Sequence, residues 1–247
     1  MSILAKGTPL YRLVNDETGD EYARAVDLAG FFLDHLTLES AVVTLVDAVA
    51  HVKFLPTDID NVRMEVIDRN GQTIGRYYIG RVRPIVQRTR DDLLELDFSF
   101  YGFSCGYPRA GDIWRRWASG APIKAGEWMD YPAYLHETWL HVVQNVWFEK
   151  GRTATRYASE YAIAIDGDLM PDVAAFYCAI GEAVNGPGGY YGATLDGLAE
   201  CLSSTRSNGV DFRLIWSHGD ASRRMLGEEF VASVLDLMGE FGIETAI

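Results

Sequence analysis

The first hundred residues show short runs of apolar side chains separated by polar turns, a pattern typical of β-strands. Two pairs of runs predict hairpins, because a polar turn joins the members of each pair. In the second pair the turn contains Asn70-Gly71, which readily adopts the left-handed conformation of a tight hairpin turn. Residues 94–103 alternate like a half-buried strand, whereas residues 36–52 are apolar without a clear period. The paired runs are 9–14 with 21–26 and 62–67 with 73–82.

Beyond Gly106 the apolar positions recur at helical spacing. Some of them lie three or four residues apart and form one stripe of a predicted helix. Most of the tryptophans also fall in this region, where clustered aromatic side chains are expected to build a core. The polar run 149–155 predicts a linker, so residues 1–150 are expected to form an α+β domain, rich in hairpins and with a helical C-terminal part. The stripe consists of Leu135, Trp139, Val142 and Val146, and the tryptophans are Trp114, Trp117, Trp128, Trp139 and Trp147.

Residues 158–247 alternate between strand-like and helix-like runs, which predicts a second domain of the α/β class. Strands that are joined by helical crossovers form parallel sheets, so we expect a small three-stranded parallel sheet with helices around it. Asp172 is the predicted N-cap of the first helix, and Thr194 is the predicted N-cap of the next. The predicted strands are 161–165, 212–216 and 243–247, a later helix is 228–239, and the first helix has Val173, Phe176, Ile180 and Val184 on one face.

The second helix of this domain carries two neighbouring carboxylates, Asp196 and Glu200. At about 100° per residue they project together, away from the face formed by Leu195, Leu198 and Leu202. Like charges at this spacing cost an isolated helix roughly 0.2–0.5 kcal/mol, so folding does not require the pair. One interpretation is a binding role. The other is that Asp196 stabilises the helix dipole and Glu200 is an ordinary solvated residue.

The chain is acidic, with a formal net charge of −13, and residues 156–247 hold 14 acidic side chains against five arginines. This balance argues against a general nucleic-acid binder, because phosphate contacts require a surplus of lysine and arginine. The acidity either keeps the protein soluble or attracts a basic protein partner. Charge alone leaves both interpretations open.

Several motifs in the C-terminal domain resemble the barstar family of ribonuclease inhibitors. The run 164–167 (Ala-Ile-Asp-Gly) resembles the opening strand of that family, and residues 190–198 resemble its Tyr-Tyr-Gly-x-Asn-Leu-Asp-x-Leu motif. Residues 212–216 continue the similarity as the second strand. The resemblance covers residues 160–247 and implies a barstar-like fold there. It also implies an inhibitor that blocks the active site of a basic extracellular-type ribonuclease with a loop and a helix.

The resemblance implies a set of partner-binding residues. Asp196 corresponds to a key aspartate of the family's second helix, and Glu200 to the aspartate that engages the catalytic groups of the ribonuclease. Glu240 corresponds to a further family glutamate. In this interpretation the carboxylates take the place of RNA phosphates in a basic cleft. The full predicted set is Tyr190, Tyr191, Gly192, Thr194, Asp196, Ala199, Glu200 and Glu240.

The chain departs from the family pattern within this set. Glu200 is one methylene longer than the family's aspartate, which keeps the charge but changes the geometry of its hydrogen bonds. Thr194 replaces an asparagine. Ala199 and Thr205 stand where tryptophans are expected, and aromatic anchors often carry much of the energy of an interface. The alternative is therefore a non-catalytic adaptor or immunity module that binds another basic protein.

Two motifs give weak indications of catalysis or metal binding. Residues 102–106 have the form Gly-x-Ser-x-Gly, with Ser104 as the nucleophile of a serine hydrolase, but Pro108 follows where a helix should begin. His136 and His141 diverge by about 140° around a helix, which is unsuited to a zinc site. We therefore expect a protein that is not an enzyme, with no catalytic residues, no metal site and no cofactor.

The cysteines and the N-terminus bear on the cellular compartment. Cys105, Cys178 and Cys201 are widely spaced and odd in number, so no disulfide framework is indicated and a reducing compartment is expected. The N-terminus lacks the pattern of a signal peptide, and no apolar run of about 18 residues predicts a membrane span. We expect a cytoplasmic protein that contacts neither nucleic acid nor membrane.

Overall fold

The computed structural model describes residues 7–34, 42–50, 58–90, 93–101, 105–209 and 212–247. The chain divides into two units, Met1–Ala121 and Pro122–Ile247. Among the described residues, no helix is both long enough and apolar enough to cross a membrane.

The alternating runs of the first unit form an eight-stranded sheet. Its strands are β1 (Tyr11–Asn15), β2 (Glu21–Ala25), β3 (Asp27–Ala29), β4 (Val42–Val46), β5 (Val49–Ala50), β6 (Ile59–Ile67), β7 (Thr73–Arg90) and β8 (Leu93–Tyr101), in the spatial order β3-β4-β8-β7-β6-β1-β2-β5. Both predicted hairpins are confirmed, because β1 pairs with β2 and β6 pairs with β7 in antiparallel register. Strands β4 and β5 lie in the apolar region for which the sequence pattern predicts no element.

The first unit also contains a helix, α1 (Ala110–Ala118), which packs an aromatic side chain against the sheet. The indole Nε1 of Trp114 donates a hydrogen bond to the hydroxyl of Tyr77 at 2.8 Å. Gly75 leaves room for this ring, because a Cβ at that position would overlap the Trp114 side chain. Trp114 is fully buried, so its predicted place in a core is confirmed.

The second unit contains the predicted three-stranded parallel sheet. Its strands are β9 (Ala162–Asp166), β10 (Arg213–Ser217) and β11 (Glu244–Ala246), in the order β11-β10-β9 with both pairings parallel. The helices are α2 (His136–Glu149), α3 (Val173–Asn185), α4 (Leu195–Ser207), α5 (Gly219–Leu226) and α6 (Glu228–Glu240). The sequence pattern misses α5, because this helix of 8 residues is too short to show a long apolar period.

The predicted N-caps of α3 and α4 are confirmed. The side chain of Asp172 accepts a hydrogen bond from the N–H of Ala175 at 2.8 Å, and that of Thr194 accepts one from Gly197 at 3.1 Å. Each cap satisfies a backbone donor that the helix itself leaves unpaired. The predicted apolar face of α3 is wrong at one position, since Val173 in the first turn is 38% exposed while the other three side chains are buried.

The predicted domain boundary between residues 150 and 158 lies inside the second unit, which begins at Pro122. Helix α2 is the reason, because it packs against α3. His136 at the start of α2 is buried, and its Nδ1 lies 2.9 Å from a carboxylate oxygen of Asp172. The helical part that the sequence pattern assigns to the N-terminal domain thus belongs to the second unit.

The chain that follows α2 is tied to the C-terminal end of α3 by Asn185. The side-chain Nδ2 of Asn185 donates to the carbonyl of Thr155 at 3.1 Å and to that of Tyr190 at 2.8 Å. Its Oδ1 accepts from the N–H of Tyr157 at 2.8 Å. Thr155 and Arg156 are both buried. The predicted linker is therefore part of the packed unit, because its polar groups find partners there.

Candidate partner-binding site

Helix α4 turns an apolar face inward and an acidic face outward. Leu198, Cys201 and Leu202 are almost completely buried, whereas Asp196 and Glu200 are exposed. Because the buried side chains fix the rotation of the helix, both carboxylates are held at the surface. The outward projection that the sequence predicts for this pair is confirmed.

The two carboxylates are chemically available. In the described part of the chain, neither Asp196 nor Glu200 forms a hydrogen bond or an ion pair through its side chain. Their Cβ atoms are about 6 Å apart at this helical spacing, so the charges repel each other without relief from a neighbouring cation. A cationic group placed between them would remove this repulsion and pair with both oxygens.

Tyr190, the first residue of the predicted loop contact, is buried between α2 and α4. Its ring packs edge-on against Phe148, with 5.4 Å between the ring centroids, and its hydroxyl accepts a hydrogen bond from Gln144 Nε2 at 3.4 Å. On the other side, a Cβ added to Gly197 would lie 3.7 Å from the same hydroxyl. Burial raises the pKa of Tyr190 to about 12, with smaller contributions from Cys201 and Glu200.

Tyr191 is completely buried, and its hydroxyl takes part in a hydrogen-bond network centred on Thr205. The hydroxyl of Thr205 donates to the carbonyl of Cys201 at 2.7 Å. It therefore accepts from the Tyr191 hydroxyl at 2.9 Å and from the N–H of Arg156 at 3.2 Å. The threonine that stands where the family pattern has a tryptophan thus fills an interior position and pairs with the buried tyrosine hydroxyl.

Gly192 is required by the backbone geometry before α4. Its φ is 96°, a conformation that side chains with a Cβ rarely adopt. A Cβ there would lie 2.8 Å from the backbone nitrogen and 2.9 Å from the Cα of Leu198. The glycine of the Tyr-Tyr-Gly loop therefore has a structural reason that is independent of any partner.

The structure thus divides the predicted partner-binding residues into two groups. Thr194, Asp196 and Glu200 are exposed along the N-terminal half of α4, and Ala199 is partly exposed between them. Tyr190, Tyr191 and Gly192 are buried beneath or beside this helix. The partner-binding role of the exposed group stays a prediction, and the buried group supports the loop and α4 in this conformation.

Glu240, the remaining predicted contact, is the exposed last residue of α6 and lies near the C-terminal end of α4. Its carbonyl accepts a hydrogen bond from Arg206 Nη1 at 3.3 Å. Arg206 is about 15 Å along the helix axis from Asp196, because each residue of an α-helix advances by 1.5 Å. The structure does not bring Glu240 beside the carboxylate pair.

A second polar cluster, which the sequence analysis misses, lies at the carboxyl ends of β9 and β10. His218 Nδ1 is 2.6 Å from Asp166 Oδ1 and 3.5 Å from Asp168 Oδ2. The three groups offer ligand atoms within 4.8 Å of one another, a spacing that one cation could bridge, although the imidazole already pairs with the carboxylates. The signal in the sequence is that polar residues follow two adjacent parallel strands, whose carboxyl ends meet at one edge.

This cluster predicts a pH-dependent contribution to stability. The hydrogen bond to Asp166, together with the charge of Asp168, raises the pKa of His218 above its ordinary 6.5, and the same bond lowers that of Asp166 below 3.8. The histidine contribution is full below pH 6.5 and is lost as the pH rises through the raised pKa. The aspartate contribution is full above pH 3.8 and is lost as the pH falls through the lowered pKa.

We expect an NMR titration to give a pKa above 6.5 for His218 in the native protein and a lower pKa in the Asp166→Asn variant. Asparagine keeps the side-chain oxygen that accepts from the N–H of Asp168, so the turn itself is preserved. An identical His218 pKa in the two proteins would contradict the ion pair.

The structure gives no support to the weaker motifs where it describes them. His136 is buried, and both of its ring nitrogens already have partners within the fold. Nδ1 faces Asp172, and Nε2 lies 3.2 Å from the carbonyl of Tyr131. Burial lowers the pKa of His141 to about 4. The nucleophile proposed for a serine hydrolase, Ser104, lies outside the described residues.

Comparison with known proteins assigns a family to the C-terminal segment. Residues 161–245 match the family model described as Barstar (barnase inhibitor). The resemblance that the sequence motifs indicate is thereby confirmed for this domain. No curated protein and no solved structure significantly matches the chain. The matched segment runs from β9 into β11 and leaves α2 outside.

Proposed function

We propose that this protein inhibits a basic barnase-like ribonuclease through its Barstar-family domain, as an immunity or antitoxin protein. The observation that carries the proposal is the exposed carboxylate pair of Asp196 and Glu200 within the matched segment. The family supports a non-catalytic, protein-binding role for the domain. The acidity of the chain supports a basic partner.

The proposed mechanism is competitive occlusion of the catalytic cleft. The carboxylate oxygens of Asp196 and Glu200 take the positions of RNA phosphate oxygens and accept charge-assisted hydrogen bonds from arginine, lysine and histidine of the enzyme. The negative field of the domain steers the basic enzyme toward this face before contact. RNA is excluded because its phosphates require the same cationic groups.

A second candidate function follows from the burial of Tyr190 and Tyr191. These residues correspond to loop contacts in the family, yet they are covered in this chain. Their burial favours an adaptor that uses the acidic face of α4 to bind a basic protein other than a ribonuclease. Competition with RNA distinguishes the two functions, because an adaptor does not need to occupy a nuclease cleft.

We expect the full-length protein to inhibit RNA cleavage by a purified barnase-like ribonuclease, raising KM without changing kcat. Stopped-flow measurements should show association slowing by about tenfold or more between low salt and high salt, because salt screens the steering field. Binding that leaves RNA cleavage unaffected would favour the adaptor. No binding to any barnase-like ribonuclease would refute the ribonuclease proposal.

A further inference from the structure

We infer that helix α2, which lies outside the family match, forms part of the partner-binding face and supplies Phe148 as its aromatic anchor. This inference rests on the proposed function and names a further element of the same interface. The partner is a basic protein whose cationic groups engage the carboxylates of α4. Its adjoining surface then packs against the exposed edge of Phe148.

The position of Tyr190 shows that α2 borders the acidic helix. The tyrosine ring contacts Phe148 of α2, and its hydroxyl receives the hydrogen bond from Gln144 one turn earlier. The same hydroxyl lies beside Gly197 of α4. Gly197 is about 60° around the helix from Glu200 and about 100° from Asp196. Tyr190 therefore contacts Phe148 of α2 and also lies beside the part of α4 that adjoins the carboxylates.

The exposed fraction of Phe148 shows that Tyr190 covers only part of its ring. Phe148 is 44% exposed, although it is a large apolar side chain at the end of a well-packed helix. The outward surface of α4 next to the carboxylates is built from small residues, Ala199 and Gly197. In the described residues of this region, the aromatic surface beside the acidic face thus comes from α2.

The chemistry of this juxtaposition fits an arginine-containing surface. A guanidinium group can accept one carboxylate in its plane and present its face to an aromatic ring, a combination that lysine does not offer. Aromatic anchors that border charge pairs also exclude water from them, which strengthens the ionic hydrogen bonds. A basic ribonuclease has such groups in and around its cleft, so α2 extends the contact beyond the carboxylates.

The test compares affinities of full-length variants for one purified barnase-like ribonuclease by isothermal titration calorimetry. Phe148→Ala removes the anchor, and we expect the dissociation constant to rise about 10- to 100-fold. Phe148→Tyr keeps the ring and should restore affinity to within about threefold. Tyr134→Ala removes an aromatic side chain of the same unit that is 63% exposed, and it should change affinity by less than about twofold.

Thermal melting of each variant separates binding from folding. If Phe148→Ala lowers the melting temperature, the affinities of all variants are measured at one temperature below the unfolding transition of the least stable variant. Wild-type affinity in Phe148→Ala, with binding still lost in Asp196→Ala/Glu200→Ala, overturns the α2 inference and leaves the proposed function intact. No ribonuclease binding by the unaltered protein overturns both.

Discussion

Replacing both Asp196 and Glu200 by alanine is expected to weaken ribonuclease binding by about a thousandfold or more. Truncating one partner of a buried, hydrogen-bonded charge pair costs roughly 2–5 kcal/mol, and each 1.4 kcal/mol is a factor of ten in the dissociation constant. Both side chains are exposed and make no side-chain hydrogen bond or ion pair in the described chain, so their removal should spare the fold. Inhibition constants from RNA-cleavage assays measure the loss.

A matched control removes the same charge elsewhere in the domain. Glu229 and Asp236 are exposed on α6, and replacing both by alanine lowers the negative charge equally. We expect this control to slow association slightly and to leave dissociation unchanged, because only long-range steering is affected. Equal losses in the two double variants would mean that net charge, and not the α4 pair, determines binding.

Residues 158–247 alone are expected to be largely unfolded, even though they contain the whole family match. This fragment lacks α2, so the face of α3 that packs against α2 becomes exposed to solvent. It also lacks Thr155 and Arg156, which are hydrogen-bond partners of Asn185 and Thr205. Burial of one large apolar side chain stabilises a fold by about 1.5–3 kcal/mol, and complete domains are stable by only about 5–15 kcal/mol. Circular dichroism and thermal melting measure the effect.

The matched control for this prediction is the fragment 122–247, which contains the complete second unit. We expect it to melt cooperatively and to retain the ribonuclease affinity of the full chain. A shorter fragment that melts within a few degrees of this control would show that α2 is an accessory to an independently stable domain. The proposed inhibitory function would be unaffected by that outcome.

The second unit shows why the sequence predicts its elements well. Asp172 and Thr194 are N-caps with local hydrogen bonds, so a short stretch of sequence contains all the information required to predict them. The outward direction of Asp196 and Glu200 follows from helical periodicity in the same way. The three parallel strands follow from alternating runs of strand and helix character.

The burial of the loop tyrosines could not be predicted from the same information. Tyr190 is covered by Phe148, and Tyr191 depends on a hydroxyl of Thr205, so both environments are set by residues distant in sequence. The polar run 149–155 is interpreted as a linker between domains for a related reason. Composition shows that a segment is polar but not that its groups find partners inside the fold. The domain boundary therefore falls at Pro122 and not after this run.

The three hydrogen bonds of Asn185 have a consequence for how this region opens. One amide group holds the carbonyls of Thr155 and Tyr190 and the N–H of Tyr157. If this amide loses its partners, the tyrosine loop and the segment from Thr155 to Tyr157 are released together. The two segments therefore form a single cooperative unit of local unfolding. Amide hydrogens on the two segments should then exchange with solvent at coupled rates. The order of the Tyr-Tyr-Gly loop thus depends on a stretch of chain, Thr155 to Tyr157, that precedes the matched segment.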